Sequence, residues 1–152
     1  MKTVLITGAA RGIGAAAAES FAEAGYQVVV NYLHSAEKAE ALAARWPGRA
    51  LAVQADVADP AQVEAMFAAA EQAFGGVDVL VCNAGIAAQK LFTDVTDEEW
   101  RRMLDVHLSG AFYCCRRALP RMIRQKWGRI INISSMWGQV GASCEVHYSA
   151  AK

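Results

Sequence analysis

Short runs of apolar residues alternate along this chain with longer segments whose apolar positions recur at helical spacing. The short runs are strand-sized and predict β-strands at residues 3–7, 27–31, 50–54, 77–82 and 129–133. The longer segments predict helices at residues 12–24, 36–46, 60–74 and 97–126, with a further helix that begins near Tyr148. Each strand is therefore expected to lead into a helix.

This alternation indicates the fold class. Strands that are apolar along their whole length, with helices between them, are typical of a parallel sheet covered on both faces. We therefore predict a three-layer α/β fold with a Rossmann-like, doubly wound parallel sheet. By analogy with nucleotide-binding sheets, the expected strand order is 3-2-1-4-5. Residues 1–152 contain no repeat, linker or low-complexity segment and are predicted to lie in one domain.

Composition and charge argue against several classes of function. The chain is 55% hydrophobic, which is typical of a globular protein. Its 15 basic residues balance 15 acidic ones, so it has no net positive charge that would attract nucleic acid or an anionic membrane. No apolar run approaches the roughly 20 residues of a membrane-spanning helix, and no signal peptide precedes the first strand. The cysteines and histidines lack metal-binding spacing. We expect a cytoplasmic, metal-free protein whose four cysteines are reduced and buried.

A glycine-rich segment, TGAARGIG at residues 7–14, joins the first strand to the first helix. Glycines there permit a tight turn and let backbone N–H groups approach a pyrophosphate at the helix N-terminus. The spacing G-x3-G-x-G differs from the common G-x-G-x-x-G, and a simple turn is the alternative. The position between strand and helix favours a phosphate loop. Its candidate cofactor-binding residues are Gly8, Arg11, Gly12, Ile13 and Gly14.

Three residues near the end of the sequence can support proton transfer. Tyr148 and Lys152 are four residues apart and would share one face of a helix. An ammonium group beside a phenol favours the phenolate, so such a pair can act as general acid or base near neutral pH. The hydroxyl of Ser135 can bond the same reacting oxygen as charge develops on it. The alternatives are an exposed helix face for the pair and a strand-end cap for Ser135.

Taken together, these motifs resemble the short-chain dehydrogenase/reductase family, in particular its β-ketoacyl-acyl-carrier-protein reductases. The resemblance extends over the whole chain. The residues that carry it are residues 7–14, Asp56-Val57, Asn83-Ala84-Gly85, Ser135, Tyr148 and Lys152. The domain would then be the N-terminal part of a longer NAD(P)-binding single-domain protein, since members of the family continue beyond Tyr-x-x-x-Lys. We accordingly expect residues 1–152 alone to lack activity.

The resemblance implies reduction of a ketone to a secondary alcohol. Tyr148 would protonate the carbonyl oxygen, Lys152 would also hold the nicotinamide ribose, and Ser135 would position the carbonyl. The substrate would be a small or carrier-bound ketone, most directly a 3-oxoacyl-acyl-carrier-protein as in fatty acid biosynthesis, and the full-length protein would be a homodimer or homotetramer.

Further cofactor contacts are implied after strands three and four. Asp56 would accept a hydrogen bond from the adenine amine beside Val57; a turn or capping aspartate is the alternative. Asn83, Ala84 and Gly85 would form a wall of the cofactor pocket, with an ordinary turn as the alternative.

The chain departs from the family pattern at two positions. Cys82 replaces the first residue of the usual Asn-Asn-Ala-Gly, which we interpret as a packing change. His107 stands where the family commonly has an asparagine that anchors a water leading to the lysine. Histidine can both donate and accept hydrogen bonds, so His107 is a candidate member of the relay, which it would make pH-dependent. A structural helix histidine is the alternative.

The expected cofactor is NADP(H). The second strand ends at Asn31, a candidate cofactor-binding position, and is followed by Tyr32-Leu33-His34. An acidic residue there would bond a ribose 2′-hydroxyl and repel a 2′-phosphate, and none is present. Arg11 in the glycine loop suits a phosphate, although a solvated surface charge is the alternative.

Two other functions remain open at the level of sequence. Trp127-Gly128 and the segment SSMWG at residues 134–138 also resemble reductases of the 5-aminopentanone group on elongation factor P. Glu145 would suit the amine of such a substrate. A non-catalytic nucleotide-binding module is the second alternative, and it would bind NADPH without turnover.

Overall fold

A computed structural model describes all 152 residues and confirms the predicted α/β fold. Its five strands are β1 (Thr3–Ile6), β2 (Gln27–Tyr32), β3 (Ala50–Gln54), β4 (Val79–Cys82) and β5 (Arg129–Asn132). All neighbouring strands pair in parallel, in the order β3-β2-β1-β4-β5. The predicted order 3-2-1-4-5 is therefore confirmed.

Seven α-helices surround this sheet: α1 (Gly12–Glu23), α2 (Ala36–Ala44), α3 (Pro60–Phe74), α4 (Asp97–Leu104), α5 (Gly110–Arg124), α6 (Trp137–Val140) and α7 (Val146–Ala151). A short 3₁₀ turn, Phe92–Asp94, precedes α4. A π turn, Asp105–Ser109, joins α4 to α5.

The two faces of the sheet carry separate apolar clusters because successive strand residues point to opposite faces. On one face Leu5 and Leu80 belong to a cluster with Phe67 of α3. On the other face Val4 belongs to a cluster with Ala18 of α1 and the second helix. Burial on both faces explains why the central strands are uninterrupted apolar runs.

Local capping explains several helix boundaries. Asp59 accepts hydrogen bonds from the backbone N–H groups of Ala61 at 2.8 Å and Gln62 at 3.3 Å, and Pro60 is the first residue of α3. Thr96 begins α4 through a capping box with Glu99.

The structure differs from the sequence prediction in three helical regions. The single helix predicted at 97–126 is interrupted by the π turn, although its backbone stays helical throughout. The second helix ends at Ala44, two residues early, because the N–H groups of Arg45 and Trp46 bond three residues back and tighten the turn. Helix α6 was not predicted.

No helix combines the length and apolar character needed to span a membrane. His, Cys, Asp and Glu side chains are nowhere grouped in threes in a way that could hold a metal ion. The expectation that every cysteine is buried holds fully only for Cys114. Cys82 and Cys115 are half-buried, and Cys144 is exposed in the loop before α7.

Candidate active site

The carboxyl ends of the central strands bring the candidate loops together. Ile6 of β1 pairs with Val30 of β2 on one side and with Val81 of β4 on the other. The strands are parallel, so the segments that follow all three leave from the same edge of the sheet. This edge is where open α/β sheets bind their ligands.

The glycine loop at this edge requires its glycines for two different reasons. A Cβ on Gly8, whose φ is +63°, would lie 2.9 Å from the Cα of Ala84, and one on Gly14 would lie 2.6 Å from the carbonyl oxygen of Gly8. Gly12 has a φ of +58° and faces open space. The first-turn N–H groups of an α-helix have no intrahelical partner, and no side chain caps those of α1. This backbone suits an anionic group such as a pyrophosphate.

Thr7 and Asn83 join the glycine loop to the segment after β4. The Thr7 hydroxyl accepts hydrogen bonds from the N–H groups of Asn83 at 3.0 Å and Ala84 at 2.9 Å. The Asn83 amide donates to the carbonyl oxygens of Thr7 at 2.9 Å and Gly8 at 3.1 Å. Residues 83–85 are thereby fixed as a wall beside the loop.

Asn31 holds the same loop from the other side. Its side chain is buried, and its Oδ1 accepts a hydrogen bond from the Gly8 N–H at 3.0 Å. Its Nδ2 donates to the carbonyl oxygens of Val53 at 3.3 Å and Ala55 at 3.1 Å. The amide is thus occupied by backbone groups, and it positions the loop rather than presenting a free polar group to a ligand.

A cavity of about 580 Å³ lies between these segments, within the size range of cofactor sites. Most of the predicted cofactor-binding residues line it: Gly8, Arg11, Gly12, Ile13, Asn31, Asp56, Val57, Asn83, Ala84 and Gly85. Gly14 packs beneath the loop instead. We refer to this space as the dinucleotide cavity.

Asp56 is held in place at one end of the dinucleotide cavity. Its Oδ1 accepts a hydrogen bond from the N–H of Ala58 at 2.9 Å, as in an aspartate turn. Its Oδ2 forms an ion pair with Nη1 of Arg102 at 2.8 Å. The turn interpretation and a half-buried carboxylate that lines the cavity are therefore compatible, because each oxygen retains a second lone pair.

A second cavity, of about 560 Å³, contains the candidate proton-transfer residues Tyr148, Lys152 and His107. It adjoins the dinucleotide cavity, since five residues line both: Arg11, Ile13, Asn83, Gly85 and Ile86. We refer to this space as the reaction cavity. The two cavities form one groove along the carboxyl edge of the sheet.

His107 is fixed between the backbone of Ile86 and the ring of Tyr148. Its Nε2 lies 2.7 Å from the carbonyl oxygen of Ile86 and 3.1 Å from the N–H of the same residue. We assign the proton to Nε2, because an unprotonated nitrogen would face the carbonyl oxygen at the shorter distance. The His107 and Tyr148 rings meet edge to face, with centroids 5.4 Å apart.

The protonation of His107 follows from this position. Burial lowers the pKa of His107 below its ordinary value, and the positive charge of Lys152 acts in the same direction. The hydrogen bond to the carbonyl of Ile86 opposes them without reversing the shift. Imidazole is therefore the favoured form at neutral pH, with Nδ1 available as an acceptor.

Lys152 is anchored at the end of β5. Its Nζ donates a hydrogen bond to the carbonyl oxygen of Ile133 at 2.7 Å and lies 5.8 Å from the centroid of the Tyr148 ring. Burial lowers the pKa of Lys152. The ammonium is thus held on the same side of the cavity as the phenol by a backbone group.

The structure separates the two serines after β5. Ser135 does not line the reaction cavity, and its hydroxyl accepts a hydrogen bond from the N–H of Trp137 at 3.2 Å. Ser134 does line the cavity, and its hydroxyl donates to the carbonyl oxygen of Lys152 at 3.1 Å. This contact caps the turn at the start of α6, not the end of β5 as the strand-end alternative for Ser135 has it.

A third cavity, of about 310 Å³, lies behind Lys152 and is lined by Cys82, Cys114 and Cys115. Burial, reinforced by the neighbouring Cys115, raises the pKa of Cys114 to about 12. Burial and the neighbouring thiols also raise the pKa of Cys82. Cys82 and Cys114 therefore remain neutral thiols at physiological pH and serve packing.

The sequence did not point to Arg102 and Val106, which line the dinucleotide cavity. Ser134, which lines the reaction cavity, was singled out only as part of the segment 134–138 and had no role of its own. Arg102 and Val106 are four residues apart in the helical segment, which places them on one face. That spacing is visible in the sequence, but nothing in it indicates that this face meets the end of β3.

Comparison with known proteins agrees with this geometry. The chain matches the short chain dehydrogenase family over residues 2–152. It is also similar to a solved structure of a short-chain dehydrogenase from Streptomyces avermitilis, with a TM-score of 0.94 and 36% identity. The match covers 100% of this chain and 57% of that chain.

Curated relatives come from several bacteria. The chain is 44% identical to a 3-oxoacyl-[acyl-carrier-protein] reductase FabG from Staphylococcus aureus, over 99% of this chain and 63% of that protein. It is 42% identical to a 3-oxoacyl-[acyl-carrier-protein] reductase from Synechocystis, over 99% of this chain and 62% of that protein. The chain thus spans less than two thirds of the length of these relatives. The match over residues 2–152 establishes that the chain belongs to the short-chain dehydrogenase family.

Proposed function

We propose that the whole protein is an NADPH-dependent reductase that converts a ketone to a secondary alcohol, with a 3-oxoacyl-acyl-carrier-protein as the first candidate substrate. The observation that carries this proposal is the shared wall of the two cavities. The glycine loop and the Tyr148–Lys152 pair border one groove through residues such as Asn83 and Gly85. The substrate class is supported by the Staphylococcus and Synechocystis relatives, which are 3-oxoacyl-[acyl-carrier-protein] reductases.

The residues of the dinucleotide cavity fit a nicotinamide dinucleotide. The first-turn N–H groups of α1 and the open space at Gly12 would receive the pyrophosphate, and the edge near Asp56 would receive the adenine. Arg11 is exposed and lines both cavities, and residues 32–35 at the end of β2 include no acidic side chain. This charge distribution favours a cofactor with a 2′-phosphate.

A nicotinamide cofactor held in the dinucleotide cavity would supply the hydride that the carbonyl carbon receives. The Tyr148 hydroxyl donates its proton to the carbonyl oxygen as negative charge develops there. The Lys152 ammonium stabilises the phenolate that remains, and its bond to the Ile133 carbonyl keeps it beside the ring. The resemblance assigns to Ser135 a hydrogen bond to the same substrate oxygen, and this role requires its hydroxyl to turn from the N–H of Trp137 into the reaction cavity. His107 can take a proton from solvent at Nδ1 and return it through Lys152 to the Tyr148 phenolate, which restores the phenol for the next turnover.

The test is Tyr148→Phe in the full-length protein, which removes the transferable proton and keeps the ring. We expect kcat with a 3-oxoacyl thioester to fall about 10²–10⁴-fold, while the Kd for NADPH measured by fluorescence stays within about twofold. Tyr26→Phe is the matched control, because Tyr26 packs on Phe21 away from the groove. Undiminished turnover in Tyr148→Phe would refute the role of this residue. NADPH binding without turnover by the parent on any ketone would favour the non-catalytic module.

A second substrate is favoured by one observation. The Glu145 carboxylate, three residues before Tyr148, accepts only a hydrogen bond from the Gln89 amide at 3.4 Å. A half-buried carboxylate without a cationic partner suits a substrate amine, as in the 5-aminopentanone group on elongation factor P. If this substrate is the right one, Glu145→Gln will raise KM for an aminoketone and leave KM for the uncharged ketone of equal length unchanged.

The proposal includes a homodimer or homotetramer. Phe112, Leu119 and Ile123 of α5 are 56%, 41% and 69% exposed, and their spacing places them along one side of the helix. An apolar stripe of this kind supports self-association. Light scattering on the full-length protein would measure the assembly directly.

A further inference from the structure

Arg102 has a position that bears on cofactor binding, and the inference drawn from it rests on the proposed binding of a dinucleotide. Arg102 lies on α4, far from the glycine loop in sequence, yet it lines the dinucleotide cavity together with Asp56, Val57 and Val106. Its Nη1 is 2.8 Å from Oδ2 of Asp56, and its side chain is 42% exposed. Neither residue of the pair lines the reaction cavity.

The Asp56 carboxylate fixes the position of the guanidinium. Because Oδ1 of Asp56 is held by the N–H of Ala58 at 2.9 Å, the carboxylate has little freedom to rotate. The guanidinium is planar, and an edge-on bond to a carboxylate leaves its face free. Val106 lies one turn after Arg102, is buried, and lines the same cavity. The guanidinium of Arg102 therefore presents a flat cationic surface next to the apolar surface of Val106.

We propose that Arg102 is a cofactor-binding residue whose guanidinium face stacks on the purine ring, with Val57 and Val106 completing the pocket for the base. A guanidinium on an aromatic ring gains cation–π and stacking energy. The Asp56 carboxylate keeps its remaining lone pairs for the exocyclic amine of the base. Arg102 and Asp56 would thus recognise the same base by its face and by its edge.

The neighbouring Arg101 provides a matched control. It has the same charge and lies on the same helix, but its side chain is 66% exposed and pairs with Asp97 at 3.5 Å. It does not line the dinucleotide cavity. A general loss of positive potential would therefore appear in Arg101→Leu as well as in Arg102→Leu.

The experiment is titration calorimetry of the full-length protein with NADPH and with NADH, which share the adenine and differ in the 2′-phosphate. We expect Arg102→Leu to weaken both by the same factor, about tenfold. Arg102→Lys, which keeps the charge but not the plane, should weaken both by a smaller factor. Arg101→Leu should leave both affinities unchanged. Thermal unfolding of each variant confirms that it is folded.

The possible outcomes separate this inference from the proposed function. Binding of neither dinucleotide by the parent would overturn the proposed function together with the inference. Equal affinities in the parent and Arg102→Leu would overturn the inference alone and leave the ion pair as a tether between α4 and the end of β3. Loss of NADPH affinity alone would assign Arg102 to the 2′-phosphate and refute contact with the base.

Discussion

The imidazole of His107 lies directly against the backbone of Gly85, so that a Cβ on Gly85 would be 2.5 Å from Cε1 of the ring. The ring cannot easily move away, because its Nε2 is bonded to the carbonyl oxygen of Ile86 at 2.7 Å. The absence of a side chain at position 85 is therefore a condition for a histidine at position 107.

We expect Gly85→Ala to lower the free energy of unfolding by about 1–3 kcal/mol, the usual effect of overpacking a fixed contact. Urea unfolding measures this change. The matched background is His107→Asn, in which the shorter side chain leaves room for the added methyl group. Gly85→Ala should then have a markedly smaller effect, and strictly additive effects of the two substitutions would contradict the packing explanation.

Stability should depend on pH through His107. Because its pKa is lowered in the folded state, the unfolded chain binds a proton first as pH falls below the ordinary histidine pKa of 6.5. The contribution of His107 to stability is therefore complete above pH 6.5 and decreases as pH falls toward the lowered folded pKa. His107→Asn should flatten this part of the curve of unfolding free energy against pH. His34→Asn, at an exposed histidine, should leave it unchanged.

The adjacent serines should differ in catalysis. If the resemblance assigns the roles correctly, Ser135→Ala in the full-length protein lowers kcat about 10²-fold or more, the range for loss of one oxyanion donor. The Ser134 hydroxyl donates a hydrogen bond to the carbonyl oxygen of Lys152. Ser134→Ala should therefore mainly make the position of Lys152 less fixed and lower kcat by a smaller factor. Steady-state kinetics on both variants measure the two decreases in kcat. A larger decrease in Ser134→Ala would assign the bond to the substrate oxygen to Ser134 and not to Ser135.

Arg11 should determine the preference for NADPH over NADH. Charge-assisted contacts with a phosphate contribute about 1.5–3 kcal/mol, so Arg11→Ala should narrow the ratio of the two Kd values about tenfold or more. Arg124→Ala is the control for net charge, because Arg124 is exposed on α5 and lines neither cavity. Equal Kd values for the two cofactors in the parent would refute the preference itself.

Local signals in the sequence were sufficient for most of the fold. The predicted bounds of β3 and α3 agree with the structure. For α3 the signals are local, because Asp59-Pro60 starts the helix and Gly75, with a φ of +81°, ends it. Helix α6 was missed since its four residues, Trp137–Val140, are too few to show an apolar period.

The site was predictable only where its residues form contiguous motifs. The glycine loop and the Tyr148–Lys152 pair are short-range patterns, and the structure brings both to one groove. The ion pair between Asp56 and Arg102 joins residues 46 positions apart, and no periodicity connects them. The hydrogen bond that Asn31 accepts from the Gly8 N–H is also long-range. The sequence therefore did not indicate that Asn31 positions the glycine loop.

The π turn at Asp105–Ser109 has a consequence for how this region tolerates change in length. The turn holds one residue more than an α-helical turn, and one α-helical residue corresponds to about 100° of rotation. Two neighbouring residues of this turn line different cavities, Val106 the dinucleotide cavity and His107 the reaction cavity. Deleting one residue within the π turn would leave a regular α-helical turn, so the residues downstream would keep their faces relative to α4. Deleting one residue inside α4 or α5 would instead rotate the residues beyond it by about 100°. A deletion at position 108 or 109 should therefore lower the free energy of unfolding less than a single-residue deletion inside either flanking helix.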